Sequence, residues 1–288
     1  MHTGEDDISL LGRISTWNYK TTSTAFPGDC GKVRGSADGL LAPGTLAMTD
    51  NFDIYSTDVC RTLSFQRKGS ESVHGIHVDK FQLDDTVFAN KSECADNSCY
   101  NNNLPSGVQN VTQCKMKSPA FISRPHFYNA DPFYKDQFQY GINPDADRHE
   151  SYFLIEPKSS IPVKVSMRLQ INILLEKNEN IAYIFKNLPR VFYPVLWFES
   201  EATLPESMSG QLSLLVNLPV ITQACGIAGI VLGLLGMLTA LYCFLRGGSK
   251  QVDDHSCEYA KVALKDGKDD FKSPIRKDPL ISSTICKN

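Results

Sequence analysis

The sequence predicts a mainly β protein held on one membrane helix. Residues 1–220 read as an antiparallel β-rich domain, 221–245 as a transmembrane helix and 246–288 as a short disordered tail. Two observations carry this. Ile221–Leu245 holds 25 residues without a charge; as a helix it spans roughly 37 Å, enough for a ~30 Å hydrocarbon core with some tilt. Val163, Val165, Met167, Leu169, Ile171 and Ile173 alternate with Lys164, Ser166, Arg168, Gln170 and Asn172. A period of two puts one set on a buried face and the other in water, as in an antiparallel sheet or a barrel wall.

In chain order, residues 1–50 are loop-rich, and Gly28–Gly44 is dense in glycine, so it reads as turns. DIYSTDVCRTLSFQRKG, from Asp53, reads as a strand. VHGIHVDKFQLDDTVFA, from Val73, does so too, with His74 and His77 on opposite faces. Residues 90–118 are rich in Asn, Ser and Cys and read as an exposed loop fastened by disulfides. Pro119–Phe127 is a short strand and 128–147 an irregular, aromatic-rich connection. His149–Lys177 carries the alternation described above. In 180–202, Pro189 and Pro194 forbid a long helix. LPESMSGQLSLLVNLP reads as a short helix that Pro219 ends.

Composition narrows the function. The net charge of −3 and the lack of a basic excess argue against a nucleic-acid partner. Residues 1–220 suffice for one sizeable core. No GxSxG, HExxH or Gly-rich phosphate loop occurs, so no enzyme, metal or cofactor is expected. His74 and His77 are placed on a strand, where their spacing does not make half a metal site. Arg246 and Lys250 follow the span, and no charge lies between Glu206 and it, so the positive-inside bias puts the tail in the cytoplasm. The sequons at Asn90 and Asn110, and cysteines at 30, 60, 94, 99 and 114, then fall on the outer, oxidising side. Five cysteines leave one over, and spacing alone leaves their connectivity open. Met1–Asp7 is acidic and polar, unlike a secretory leader, so the chain is expected to continue upstream.

Several segments resemble one family. They are CGKVRGSADG, YSTDVCRTL, LPSGVQNVTQC followed by KMKSPAFISRPHF, INPDADRHESYFLIEP, MRLQINILLEK and YPVLWFESEA. Their order and spacing are similar to the C-terminal portion of the class B scavenger receptors, a family that includes fatty-acid translocase, lysosomal integral membrane protein type 2 and the sensory neuron membrane proteins. The resemblance implies an asymmetric β-barrel between two membrane helices, with a helical apex and a lipid tunnel; the N-terminal helix and the apex have no counterpart here. It implies a non-enzymatic plasma-membrane receptor for lipids, fatty acids or lipoproteins. The alternative is a lysosomal or endosomal sorting or adhesion receptor for a protein ligand. The resemblance pairs Cys60 with Cys114 and Cys30 with Cys99, leaving Cys94 over; Cys94–Cys99 with Cys30 free is the alternative. A Cys60–Cys114 bridge is worth roughly 3–4 kcal/mol on the chain-entropy account. His126 and His149 fall at positions where the family points to packing and hydrogen bonding.

The span and tail carry further candidates. Gly226, Gly229, Gly233 and Gly236 lie on one helix face, a smooth stripe for a second transmembrane helix in cis or for a homo-oligomer. Cys243, at the inner membrane edge, is a palmitoylation candidate. Tyr259-Ala260-Lys261-Val262 fits an endocytic-adaptor signal, and Leu280-Ile281 resembles a dileucine sorting signal.

Overall fold

The computed structural model describes residues 1–37, 39–100, 103–177 and 188–246. Two units are distinguished, Met1–Val216 and the chain from Asn217 onward. The first opens with irregular chain and a single helical turn, α1 (Thr45–Met48), before β1 (Asn51–Ser56), β2 (Arg61–Val73) and β3 (Ile76–Leu83). β4 (Val108–Asn110) and β5 (Ala120–Ser123) follow the Cys-rich loop. The short helices α2 (Pro132–Lys135) and α3 (Ala146–His149) lie between β5 and β6 (Tyr152–Glu156). β7 (Ile161–Leu175), β8 (Val191–Thr203) and the long helix α4 (Glu206–Arg246) complete the described chain.

The strands form one antiparallel sheet in the order β1-β2-β3-β6-β7-β5-β4, with β8 also on β7. β7 is its centre. β6 pairs with its first half (161–166) and β5 with its second (170–173), while β8 runs along the opposite edge from Lys164 to Leu175. Pro194 donates no ladder bond, and the register shifts there, between Ile171 and Asn172 of β7. Phe52, Phe65, Phe81 and Phe153 meet mainly edge-to-face in the main core, with Leu63, Leu83, Ile155 and Leu169.

Four sequence expectations are corrected. DIYSTDVCRTLSFQRKG is two strands, β1 and β2, joined at 57–60, where Cys60 takes a positive φ of 54°. HGIH is not strand throughout: His74 and Gly75, at φ 49° and 77°, form a two-residue hairpin turn between β2 and β3. The alternation in β7 is real, yet its polar face is not wet. Ser166, Gln170 and Asn172 are almost wholly buried and Arg168 is 8% exposed, because the connection between β5 and β6 covers that face. Finally, α4 continues through Pro219, where a break is expected; a proline there removes one donor, and the helix is unbroken on both sides of it. Leu212, in the first turns of α4, packs with Ile76, Val78, Leu154 and Val163.

Candidate functional site

The region around the cysteines is built on an unusual buried cation. Arg61, the first residue of β2, is 7% exposed, and among the described residues it pairs with no carboxylate. It is held by neutral oxygens instead: Val87 O at 2.8 Å, Gln109 Oε1 at 3.1 Å, and Asn97 Oδ1 and Thr62 O at 3.2 Å. Its guanidinium lies 3.6 Å from the centre of the Tyr100 ring. Burial brings it down to about 10, so it remains charged at neutral pH. Asn97 reaches the other way, donating to Thr86 O at 2.6 Å and Ala89 O at 2.9 Å. The Cys-rich loop is therefore pegged by buried polar side chains as well as by disulfides, a correction to its reading as an exposed loop.

The structure joins Cys30 to Cys99 and Cys60 to Cys114, with Cys94 unpaired and partly buried. Tyr100, next to Cys99, donates its hydroxyl to Cys30 O at 2.7 Å and meets Phe26 edge-to-face at 4.8 Å. These groups wall a groove of about 530 Å³. Phe26, Tyr100, Leu104, Phe121 and Leu174 line it with apolar surface, Asn110, Thr112 and Gln113 add polar groups, and Arg190 is its cation among the described residues, itself 2.9 Å from Glu176.

A second polar cluster lies on the covered face of β7. Gln170 accepts from the His126 N–H at 2.8 Å and donates to Asn172 at 2.8 Å, and Asn172 donates to Ser123 Oγ at 3.0 Å. Arg168 bonds Glu199 of β8 at 2.7 Å and the Asp147 and Glu150 carbonyls at 2.9 Å. The hydrogen bonds from Ser166 and Arg168 hold the Glu199 carboxyl below the usual range. Sequence reasoning missed this cluster, and Arg61, Asn97 and Gln109 as well. The polar residues of β7 were its visible signal, misassigned to water.

Of the sequence candidates, Asn110 lines the groove at the end of β4 and accepts from the Thr112 N–H at 2.9 Å; Asn90 accepts from Ser92 at 2.9 Å. Each sequon thus sits in a local turn. Gly226, Gly229, Gly233 and Gly236 lie on α4, and a side chain at any of them would meet nothing within 4 Å. Cys243 is half-buried near the end of α4. Tyr259, Val262, Leu280 and Ile281 lie outside the described residues. Among the described residues there is no group of three or more His, Cys, Asp or Glu suited to a metal ion.

Fold and site define a class: a disulfide-stapled antiparallel β unit whose last strand runs into an apolar helix long enough to cross a membrane. The chain belongs to the CD36 family, whose model matches residues 1–244. It is 32% identical over 269 residues to protein peste of Drosophila melanogaster, covering 92% of this chain and 47% of that protein. It is 30% identical over 238 residues to scavenger receptor class B member 1 of Cricetulus griseus, covering 82% and 46%. It is 29% identical over 224 residues to sensory neuron membrane protein 2 of Heliothis virescens, covering 74% and 42%. The chain spans about half the length of the curated relatives it matches.

Proposed function

We propose that the chain is the membrane-proximal part of a scavenger-type receptor that binds lipids, fatty acids or lipoproteins and mediates their uptake or transfer. The groove beside Cys30–Cys99 carries the reading: about 530 Å³ of largely apolar lining with one guanidinium, Arg190, suits an amphiphile with an anionic head. Family membership supports the class of protein, and the name of the Cricetulus griseus relative supports a scavenger role. No catalytic step is part of this function. In this reading the N-terminal unit lies outside the plasma membrane with glycans on Asn90 and Asn110. Cys243, at the inner membrane edge, carries a palmitoyl group, the tail meets endocytic adaptors inside, and the glycine stripe seats another helix.

The test is binding of a photoreactive long-chain fatty acid to the full chain in detergent micelles. Labelled peptides are expected from 99–121 and 170–177. Arg190→Glu is expected to weaken binding several-fold, an exposed charge contact being worth about 1 kcal/mol. Labelling spread evenly over the chain, or confined to α4, would exclude the groove. The second reading, a lysosomal or endosomal sorting receptor for a protein ligand, is favoured by Tyr259-Ala260-Lys261-Val262 and Leu280-Ile281; steady-state residence in lysosomes rather than at the cell surface would select it.

A further inference from the structure

The connection between β5 and β6 brings two histidines face to face. The His126 and His149 rings stack with centroids 4.5 Å apart and planes 18° apart. Trp197 of β8 stands edgewise to both, at 6.5 and 5.9 Å. Each imidazole accepts a backbone N–H at Nδ1, from Asn143 to His126 at 3.1 Å and from Asp145 to His149 at 2.9 Å. A neutral imidazole that accepts at Nδ1 carries its proton on Nε2, so both rings are held in one tautomer. His149 is 1% exposed, and its Nε2 has no partner among the described residues.

We propose that the His126–His149 stack is an acid-released latch, which fastens the 142–149 segment to β7 and β8 at neutral pH and frees it on acidification. A second proton on His149 puts a donor at Nδ1 against the Asp145 N–H that the ring had accepted. It also sets a cation 4.5 Å from the second imidazole. The surroundings do not compensate. Arg148 from α3 and Arg168 from β7 both oppose the new charge, while Asp145 favours it. Glu199 of β8 is engaged by Arg168 and Ser166, and Glu150 lies 3.7 Å from Arg124.

Burial first, then His126 and the arginines, hold the His149 ring below the ordinary imidazole range. The sign follows from that direction. The closed latch binds fewer protons than the open one, so its stability is complete above the ordinary value of about 6.5 and declines as the pH falls below it. Glu150 acts oppositely. Burial raises its carboxyl, so its protonation favours the closed state in a window just above the ordinary carboxylate range, and Glu150→Gln separates the two effects.

The test is amide exchange in the full chain in micelles at about pH 7.5 and about pH 5.5, corrected for intrinsic chemistry. Exchange at Asn143 and Asp145 is expected to accelerate roughly tenfold or more at the lower pH, while β2 and β3 amides stay protected. Glu150→Gln is expected to keep that acceleration. His126→Phe with His149→Phe retains the stack but not the acceptors, and should exchange fast at both values with no pH dependence. Equal protection of the parent at both values overturns the latch, and so does a pH response that survives in the double variant. Should that variant not fold, the Cε1 shift of His149 in the parent decides: a titration that tracks the exchange midpoint supports the latch, and one that does not overturns it.

Discussion

Single residues in this protein matter through what they leave unpaired. Arg61 donates to four neutral oxygens and lies against Tyr100, so Arg61→Met strands buried acceptors on Asn97 and Gln109. Each stranded group costs about 1–3 kcal/mol, and we expect a loss of about 3 kcal/mol or more, read from the urea midpoint of unfolding. If Arg61 were a solvated charge, the change would stay within about 0.5 kcal/mol. Nothing local in Cys60-Arg61-Thr62 announces this role. Arginine is seldom buried without a partner, and the partners come from positions 87, 97 and 109, which only the tertiary fold brings close.

At the scale of elements, the β2–β3 hairpin turns on His74-Gly75. Gly75→Val sets a β-branched residue at φ 77°, which costs about 1–2 kcal/mol. The expected fall in melting temperature is roughly 2–8 °C for a unit of this size. His74→Asn, with a side chain that tolerates the left-handed region, is expected to be neutral or slightly stabilising in the same measurement. The element types are mostly readable: β3, β5 and β7 lie within runs that read as strands, β7 by its period of two, and the long apolar helix is marked by its uncharged length. Two features are not readable. Turns of two to four residues inside apolar-polar runs leave little trace, since His-Gly and Thr-Asp-Val-Cys are weak turn signals. Polarity also does not mean exposure in β7, where Ser166, Gln170 and Asn172 satisfy one another or their neighbours under cover.

At the scale of the whole molecule, two disulfides tie the irregular N-terminal chain and the 94–114 loop to the sheet. Replacing Cys60 and Cys114 together by Ala is expected to cost roughly 3–4 kcal/mol in denaturant unfolding. Cys94→Ala should move stability by less than about 0.5 kcal/mol; a loss as large as that of the paired cysteines would instead favour the Cys94–Cys99 connectivity. The groove itself was not legible in the sequence. Its wall joins Phe26, Tyr100, Phe121 and Leu174 from four separate segments, and only motif order, by resemblance, points toward the class B scavenger receptors.

The course of β8 has a mechanical consequence. Tension drawn through α4 enters the sheet at Thr203, the end of β8 that pairs with Lys164. It must first pull Leu212 from its pocket beside Val78 and Leu154. After that, β8 peels from β7 pair by pair, from Lys164 toward Leu175. The β7–β8 bonds open in turn, and neither disulfide, both of which lie outside β7 and β8, has to break for β8 to leave the sheet.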